Sequence, residues 1–204
     1  MRIGFVNGSR QSSKNNYVFN ILKNIASKYN HEVINFGSYE EKENLSYVQS
    51  GIYTAILLNS KAVDFVITGC SSGQGVMIVS NSFPNVICGH IENELDAYMF
   101  MQVNAGNAVS IPFLDEINSD FELIFENLFK EEKGNGYPRE RKQIQEKHRL
   151  QINDLKNKTY REFMSIVTDI DKDLLAGIVR SDGFKDNFYR LSKNEELNDF
   201  FRSL

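Results

Sequence analysis

Short apolar runs alternate with longer amphipathic stretches along most of this chain. The short runs are rich in branched and aromatic residues and are bounded by turn residues, which is typical of buried strands. The longer stretches repeat apolar residues every three or four positions, as a helix packed by one face does. The predicted strands are Arg2–Val6, Glu32–Phe36, Phe65–Thr68, Val86–Gly89 and Ala108–Ile111. The predicted helices are Asn15–Tyr29, Tyr47–Asn59, Gly75–Asn81, Glu94–Val103 and Phe121–Phe129.

The alternation of strand and helix predicts a parallel sheet covered by helices on both faces. We therefore expect an α/β fold: a three-layer α/β/α, Rossmann-like domain with a five-stranded, mainly parallel sheet over residues 1–142. Residues 143–204 show no strand pattern and are predicted to form a helical C-terminal extension, packed on the core or on another subunit and not an independent domain. A densely charged stretch that begins at Arg139 predicts one long helix. Its apolar positions are Leu150, Ile152, Leu155, Phe163 and Ile166, and shorter helices are predicted around Asp171–Val179 and Glu195–Ser203.

Composition narrows the range of partners and compartments. The 204 residues carry a net charge of −4, with Lys and Arg scattered among the acids, so neither nucleic acid nor a membrane is an expected partner. The first apolar run is too short for a signal peptide, and no segment reaches membrane-spanning length. Two cysteines cannot form a disulfide framework. We therefore expect a cytoplasmic protein.

One stretch carries more chemical information than any other: the third predicted strand runs into Gly69–Gly75, with the sequence GCSSGQG. A strand, a glycine-rich turn and a helix N-terminus together aim backbone N–H groups at one point, which favours an anion. Cys70 stands there, so a titratable thiol lies beside donors that can stabilise an oxyanion. The alternative is a structural thiol, because free cysteine is a common core residue. Cys88, inside a predicted strand, is expected to be core.

Other candidates lie at the same edge of the predicted sheet. Ligand sites in such sheets lie outside the carboxyl ends of the strands, and Asn7, Ser9 and His90 come after predicted strands. Histidine titrates in the useful range, so His90 is a candidate acid or base, with a purely structural role as the alternative. No cluster has metal-ligand spacing, and the glycines of the turn lack the third glycine and the acid of a dinucleotide site. Neither a metal nor an organic cofactor is predicted.

Several motifs occur in the order and spacing of one known family. They are His31–Gly37, Tyr47, Gly69–Gly75 with Asn81 downstream, Asn104–Ala108 and Gly136–Arg141. On these motifs the chain resembles the RpiB/LacA/LacB sugar-phosphate isomerases, which include ribose-5-phosphate isomerase B and galactose-6-phosphate isomerase. The resemblance implies a cofactor-independent aldose–ketose isomerase that moves a proton through an enediolate on a small acidic sugar, a pentose or hexose phosphate.

The resemblance also implies roles for particular residues. Cys70 is the implied acid/base, and the backbone of Ser71 to Gly75 would hold the oxyanion, with Ser72 in place of the usual threonine. Asn104 would contact the substrate of a neighbouring protomer, so a homodimer or homotetramer with sites at the interface is expected. The predicted catalytic set is Cys70, Ser72 and His90. The predicted substrate- or anion-binding set is Ser71, Gly73, Gly75, Ser9, Tyr47, Asn104, Asn107, Arg139 and Arg141.

Plainer interpretations stand beside these roles. Arg139 and Arg141 also suit the solvated start of a helix, although a guanidinium fork matches a phosphate or carboxylate. Asn104 and Asn107 flank a glycine and equally suit a turn.

Three departures from the family pattern bear on the substrate. The family's early Asp-His pair is Gly8 and Ser9 here, and its ring-opening histidine is Val103. The second phosphate arginine is replaced by Tyr137, a loss for which Arg139 or Arg10 could compensate.

A longer branch of the family is more similar still. It shares the pair Lys14-Asn15, the block Ile56–Phe65 and a helical tail. Some of its members resemble isomerases of 4-deoxy-L-threo-5-hexosulose uronate, which bears a carboxylate and can be reached in open-chain form. That uronate is the alternative substrate, and a catalytically silent sugar-phosphate-binding protein is the alternative outside enzymes.

Overall fold

The computed structural model describes residues 1–40, 45–114 and 120–204, which form a five-stranded sheet with helices on both faces. All described strand pairs are parallel, in the order β2-β1-β3-β5-β4. The predicted three-layer α/β/α fold is confirmed. The strands are β1 (Arg2–Asn7), β2 (Glu32–Asn35), β3 (Phe65–Cys70), β4 (Cys88–His90) and β5 (Ala108–Pro112). The helices are α1 (Asn15–Lys28), α2 (Tyr47–Asn59), α3 (Gln74–Asn81), α4 (Glu94–Met99), α5 (Phe121–Phe129), α6 (Lys142–Thr159), α7 (Phe163–Val167), α8 (Lys172–Val179), α9 (Tyr189–Leu191) and α10 (Glu195–Arg202).

Successive residues of each central strand face opposite layers of the fold, as the pleat of a strand requires. In β3, Phe65 and Ile67 belong to the core formed with α1, α4 and α5. Val66, between them, belongs to the core formed with α2 and the C-terminal extension. Because both faces of the strand are buried, it appears in the sequence as a continuous apolar run.

Parallel pairing brings the carboxyl ends of β1, β3 and β5 to one edge of the sheet. Asn7 lies opposite Gly69, and Cys70 lies opposite Pro112. The strands approach closely here, since a Cβ atom on Gly69 would lie 2.2 Å from the carbonyl oxygen of Ile111. Only glycine fits at that position. The chain leaves the sheet after Cys70, between β1 and β5.

The start of α2 is tied to the C-terminal extension. Ser46 and Gln49 form a capping box, in which the Ser46 hydroxyl accepts from the Gln49 N–H at 3.2 Å and Gln49 Oε1 accepts from the Ser46 N–H at 3.0 Å. Gln49 Nε2 donates to the carbonyl of Leu174 in α8 at 3.1 Å. A Cβ on Gly177 would lie 2.1 Å from the same Nε2, so α8 lies directly against α2.

The extension also shares an aromatic core with the sheet domain. The rings of Phe184 and Phe188 stack with centroids 4.2 Å apart, and both contact Phe201 of α10. Phe184 contacts Tyr53 of α2, which in turn contacts Phe36 beyond β2. All five side chains are fully or almost fully buried. One apolar cluster therefore spans the sheet domain and the extension.

The long helix predicted from Arg139 is wrong in its extent. A tight turn over Arg139–Arg141 precedes α6, which ends where Tyr160 adopts an extended backbone (ψ 144°), and Phe163 opens a separate helix. Gln145 is the buried residue of α6. The apolar positions Leu150, Ile152 and Leu155 are exposed. The apolar residues of α6 therefore do not pack on the core of the same chain.

The fourth helix is also shorter than its prediction, Glu94–Val103. Regular α-helix ends at Met99, and a wider helical turn continues over Phe100–Asn104. Across the described ranges, no helix is both long enough and apolar enough to span a bilayer.

Candidate active site

A cavity of about 460 Å³ opens at the carboxyl ends of β1 and β3. We call it the thiol cavity. Most of its lining residues are small or polar by type, and Arg10 provides the cationic side chain among the lining residues that the structure describes. The lining residues are Gly8, Arg10, Gln11, Ser46, Tyr47, Cys70, Ser71, Ser72 and Gly75.

Cys70 reaches the thiol cavity from a rigid position at the end of β3. Its carbonyl accepts from the Phe113 N–H at 3.0 Å, and the preceding carbonyl, of Gly69, accepts from the Gly8 N–H at 2.9 Å. The thiol-bearing residue is partly exposed. Cys88 is buried, and burial raises the pKa of its thiol to about 12. Of the two thiols, Cys70 is thus the accessible one.

The turn after Cys70 has the geometry that an anion site requires. Gly73 adopts a left-handed conformation (φ 73°) as the N-cap of α3, and Ser110 Oγ donates to its carbonyl at 2.5 Å. The first N–H groups of a helix have no partner within it, so the amides of residues 72–75 can serve a ligand. One of them, the Gln74 N–H, also donates to the Ser72 hydroxyl at 3.4 Å. The side chains of Ser71 and Ser72 add two hydroxyls to the cavity wall.

His90 lies behind this turn and outside the lining of the thiol cavity. Its Nε2 lies 2.8 Å from the carbonyl oxygen of Ser72, and because a carbonyl only accepts, Nε2 is the donor. Its Nδ1 lies 3.6 Å from Glu92. A Cβ on Gly73 would lie 2.9 Å from the ring, so His90 packs tightly under the turn. The described contacts are those of a side chain that supports the turn carrying Ser72.

Tyr47, the first residue of α2, also lines the thiol cavity. Its ring lies against Gly75, where a Cβ would be 2.9 Å from Cδ2. Ser46, the N-cap of α2, lines the same side of the cavity. The structure therefore brings Tyr47 and Gly75 together with Cys70, as residues of one cavity.

Gln11 and Ser46 line the thiol cavity but were not among the candidates from sequence. Gln11 follows β1 and Ser46 precedes α2, and both lie in stretches without apolar periodicity. The signal available for Gln11 was its position just after a strand, at the edge where such sheets bind ligands. The backbone of Ser9 opens the same turn, Ser9–Lys14, while its side chain lies outside the described part of the structure.

The other predicted binding residues, Asn104, Asn107, Arg139 and Arg141, lie elsewhere on the protomer. We call them the amino-edge surface. Asn107 precedes β5, and its carbonyl accepts from the N–H of Val66. Cys70 lies four residues further along β3, about 13 Å away at the rise of a strand. Within one protomer, these residues and the thiol cavity therefore lie at opposite edges of the sheet.

Asn104 and the two arginines occupy one part of the amino-edge surface. The Gly136 N–H donates to the carbonyl of Gln102 at 3.0 Å, and Arg149 Nη1 donates to the carbonyl of Val103 at 3.0 Å. The turn that carries Arg139 and Arg141 therefore packs beside Asn104. Asn104 and Arg141 are exposed. Arg139 is also exposed but pairs with Glu131 at 3.0 Å.

Asn107 makes structural contacts. Its Oδ1 accepts from the Ile87 N–H at 2.8 Å, and its Nδ2 donates to the carbonyl of Asn85 at 2.6 Å. Both ends of the carboxamide are thus used to hold the loop that leads into β4.

As for metals, within residues 1–40, 45–114 and 120–204 no three His, Cys, Asp or Glu side chains converge in a way that could hold an ion.

A parallel α/β sheet with an accessible thiol and a glycine turn at its carboxyl edge defines a class of proteins that bind a small polar or anionic ligand there. Comparison with known families makes the class specific. The family model described as Ribose/Galactose Isomerase (LacAB_rpiB) matches residues 9–143. The chain belongs to this family, and it is an enzyme of the aldose–ketose isomerase class.

Solved structures similar to the whole chain agree with this assignment. A 4-deoxy-L-threo-5-hexosulose-uronate ketol-isomerase complexed with a tartrate is 41% identical, with a TM-score of 0.96 over 100% of this chain and 98% of the other. A ribose-5-phosphate isomerase LacAB_rpiB from Vibrio parahaemolyticus is 34% identical, with a TM-score of 0.94 over 100% and 98%. The type B ribose 5-phosphate isomerase from Trypanosoma cruzi, 16% identical, shares the fold over 78% of this chain and 99% of its own (TM-score 0.63). No curated protein sequence matches the chain significantly.

Proposed function

We propose that the thiol cavity isomerises a small acidic sugar between its aldose and ketose forms, with Cys70 as the acid/base. The observation that carries this proposal is the accessible Cys70 in a cavity that the following serines and the glycine turn also line. Enolisation needs a base beside the reacting carbon and donors for the oxygen that gains charge. The cavity supplies both within one wall. The proposal places the enzyme in a reducing compartment, the cytoplasm, where a free thiol persists.

The proposed reaction is redox-neutral. The Cys70 thiolate removes the proton from the hydroxyl-bearing carbon next to the carbonyl, and the electron pair moves through carbon to the carbonyl oxygen. The resulting enediolate oxygen accepts hydrogen bonds from the amides of residues 72–75. Return of the proton to the neighbouring carbon, with proton exchange between the two oxygens, completes the isomerisation. No bond between carbon atoms changes.

The first candidate substrate is 4-deoxy-L-threo-5-hexosulose uronate. The relative that acts on it is 41% identical over the full chain, extension included, and was solved with tartrate, a small hydroxy acid. Val103 stands at the position implied for ring opening, which an open-chain substrate does not need. Arg10, in the cavity lining, is placed to receive a carboxylate.

A phosphosugar, such as ribose 5-phosphate or galactose 6-phosphate, is the second candidate. Two observations favour it: the 34% identity to a ribose-5-phosphate isomerase, and the pair of exposed arginines on the amino-edge surface. Guanidinium groups bind phosphate in the same bidentate way as carboxylate. The two candidates therefore differ in the anion that the site has to hold.

We also propose that the complete site forms between two copies of the chain. The resemblance implies that Asn104 and Arg141 serve a neighbouring protomer, and in one protomer they lie at the opposite edge of the sheet from Cys70. The helix α6 supports this proposal, because it presents Ile144, Leu150 and Leu155 to solvent with exposures of 43%, 64% and 59%. A homodimer is the smallest assembly that would cover that helix and join the two half-sites.

The test is an isomerase assay with three compounds: the deoxy-hexosulose uronate, ribose 5-phosphate and galactose 6-phosphate. The reaction is run in D2O and followed by NMR, because an enediolate route exchanges the transferred proton with solvent. We expect turnover with deuterium incorporation, and a kcat/KM for the uronate at least about tenfold above that for either phosphate. A reversed preference would select the second candidate. Failure to turn over or deuterate any of the three would refute the proposed function.

A further inference from the structure

Gln11 is a buried polar residue in the wall of the thiol cavity to which no role has so far been given. Its side chain is only 7% exposed. Its Nε2 donates to the hydroxyl oxygen of Ser71 at 3.0 Å. Its Oε1 has no hydrogen-bond partner among the described residues. A buried carbonyl oxygen without a hydrogen-bond partner is unfavourable and uncommon in folded proteins.

The position of Gln11 is set by a buried network of amides. Its carbonyl accepts from Asn7 Nδ2 at 2.9 Å, and its N–H donates to the carbonyl of Gly8 at 3.0 Å. Asn7 Oδ1 in turn accepts from Asn15 Nδ2 at 2.6 Å. Asn7 and Asn15 are each 1% exposed. The backbone that carries the Gln11 side chain is therefore held from inside the protein.

The contact between Gln11 and Ser71 decides how the serine hydroxyl can act. A hydroxyl has one proton to donate and lone pairs to accept with. Because an N–H of Gln11 occupies a lone pair of Ser71 Oγ, the serine proton is left for another acceptor. Ser71 follows Cys70 directly and lines the cavity, so a ligand bound there can be that acceptor.

We propose that Gln11 is a positioning residue for the isomerase: its carboxamide holds Ser71 as a hydrogen-bond donor to the substrate oxygen that becomes the enediolate oxyanion. The inference rests on the function proposed above and deepens it, since it adds a side-chain donor to the backbone amides of the turn. The recognised group is then an oxygen that accepts a hydrogen bond, as the carbonyl and its enolate do. If the single Ser71 proton pointed to Gln11 instead, the cavity would lose that donor.

The decisive substitution is Gln11→Glu, which keeps the size of the side chain and removes its N–H donors. The introduced carboxylate would draw the Ser71 proton away from the cavity. Loss of one oxyanion donor costs up to about 10²–10³-fold in kcat. We expect kcat to fall at least about tenfold with KM changed less than about twofold, the pattern of an interaction made in the transition state. Asn16→Asp is the matched control, because it adds the same charge at an exposed position of α1, and we expect it to keep native kinetics.

Two further readouts separate positioning from a general structural defect. In a Ser71→Ala background, Gln11→Glu should cause no additional loss of kcat, because the two substitutions remove the same donor. The ratio of variant to native kcat should also rise as pH falls towards about 4.3, where a protonated carboxyl can donate to Ser71 again. Thermal melting of each variant checks that it is folded.

The outcomes distinguish this inference from the proposed function. If the native enzyme isomerises a substrate but Gln11→Glu keeps native kcat, or loses as much kcat with Ser71→Ala present as without it, the inference is overturned. If the native protein itself turns over none of the substrates, the proposed function fails and the inference with it.

Discussion

The thiol cavity and the amino-edge surface both carry polar side chains, but they are built in different ways. In the thiol cavity, Cys70 and the turn after it are held by strand ends and by buried amides such as Asn7. On the amino-edge surface, Asn104 and Arg141 project from exposed turns. The first region is a preformed concave site that contains the reactive thiol. The second has a cavity of about 430 Å³ beside Asn107, but its lining includes neither Asn104 nor Arg141.

The proposed assembly of two copies predicts a division of labour between these regions. Reacting groups need a fixed geometry and restricted water, which a cavity at a sheet edge provides. Groups that hold the charged end of a substrate can come from a rigid neighbour, provided that the neighbour binds in one orientation. Substitutions in the thiol cavity should therefore affect kcat, and those on the amino-edge surface should affect KM.

Substitution of Cys70 by Ala should have the largest effect. General acid/base groups contribute about 10²–10⁴-fold to rate, so we expect kcat to fall about 10³-fold with an unchanged melting temperature. Steady-state kinetics and calorimetry measure both quantities. The control is Cys88→Ala, because the buried Cys88 thiol has its pKa raised to about 12 by burial and takes no part in the proposed reaction. Near-native turnover by Cys70→Ala would remove the thiol from the mechanism.

Replacement of Arg141 by Ala should come next. A charge-assisted hydrogen bond to an anion is worth about 1.5–3 kcal/mol, which corresponds to a roughly ten- to hundredfold rise in KM. The matched control is Arg139→Ala, since Arg139 already pairs with Glu131 at 3.0 Å and has less to offer the substrate. A fall in kcat alone would contradict the division between the two regions, and equal rises in KM would mean that Arg139 also holds the anion.

Mixing the two defective proteins tests whether the regions meet in one site. If the site joins the thiol cavity of one protomer to Arg141 of another, a mixed dimer of Cys70→Ala and Arg141→Ala chains contains one intact site of two. Random reassembly at equal amounts then returns about a quarter of the native activity, measured at low substrate concentration. Each variant refolded alone is the control. A mixture no more active than the mean of its components would show that each site lies within one chain.

Sequence reasoning found the first region far better than the second. The position of Cys70 at a strand end followed from apolar runs that the sheet buries on both faces, and the strand order then brought Cys70 beside Gly8. Gln11 could not be found in this way, because its role depends on the path of a turn with no periodicity. For Arg141, the sequence pattern of a charged residue at a helix start is the same whether the side chain is solvated or binds an anion. Only the family resemblance therefore suggested a role for it.

The helix α6 shows a related limit. Its apolar residues, among them Leu150 and Leu155, correctly indicated a helix but not the surface that covers it. Periodicity reports that a face is apolar, and it does not report whether the same chain or a second copy packs against that face.

The smallest expected effect concerns the link between the thiol cavity and the extension. Gln49→Ala removes the capping box at Ser46 and the hydrogen bond to Leu174, so we expect the free energy of unfolding to fall by about 1–2 kcal/mol. Because Ser46 and Tyr47 line the cavity, KM should rise a few-fold as well. Gln49→Glu separates the two contacts, since a carboxylate still accepts from the Ser46 N–H but cannot donate to Leu174. If the extension supports the cavity wall, this variant should keep the helix cap and still show the raised KM. A native KM for Gln49→Glu would mean that α2 holds Tyr47 in place without help from the extension.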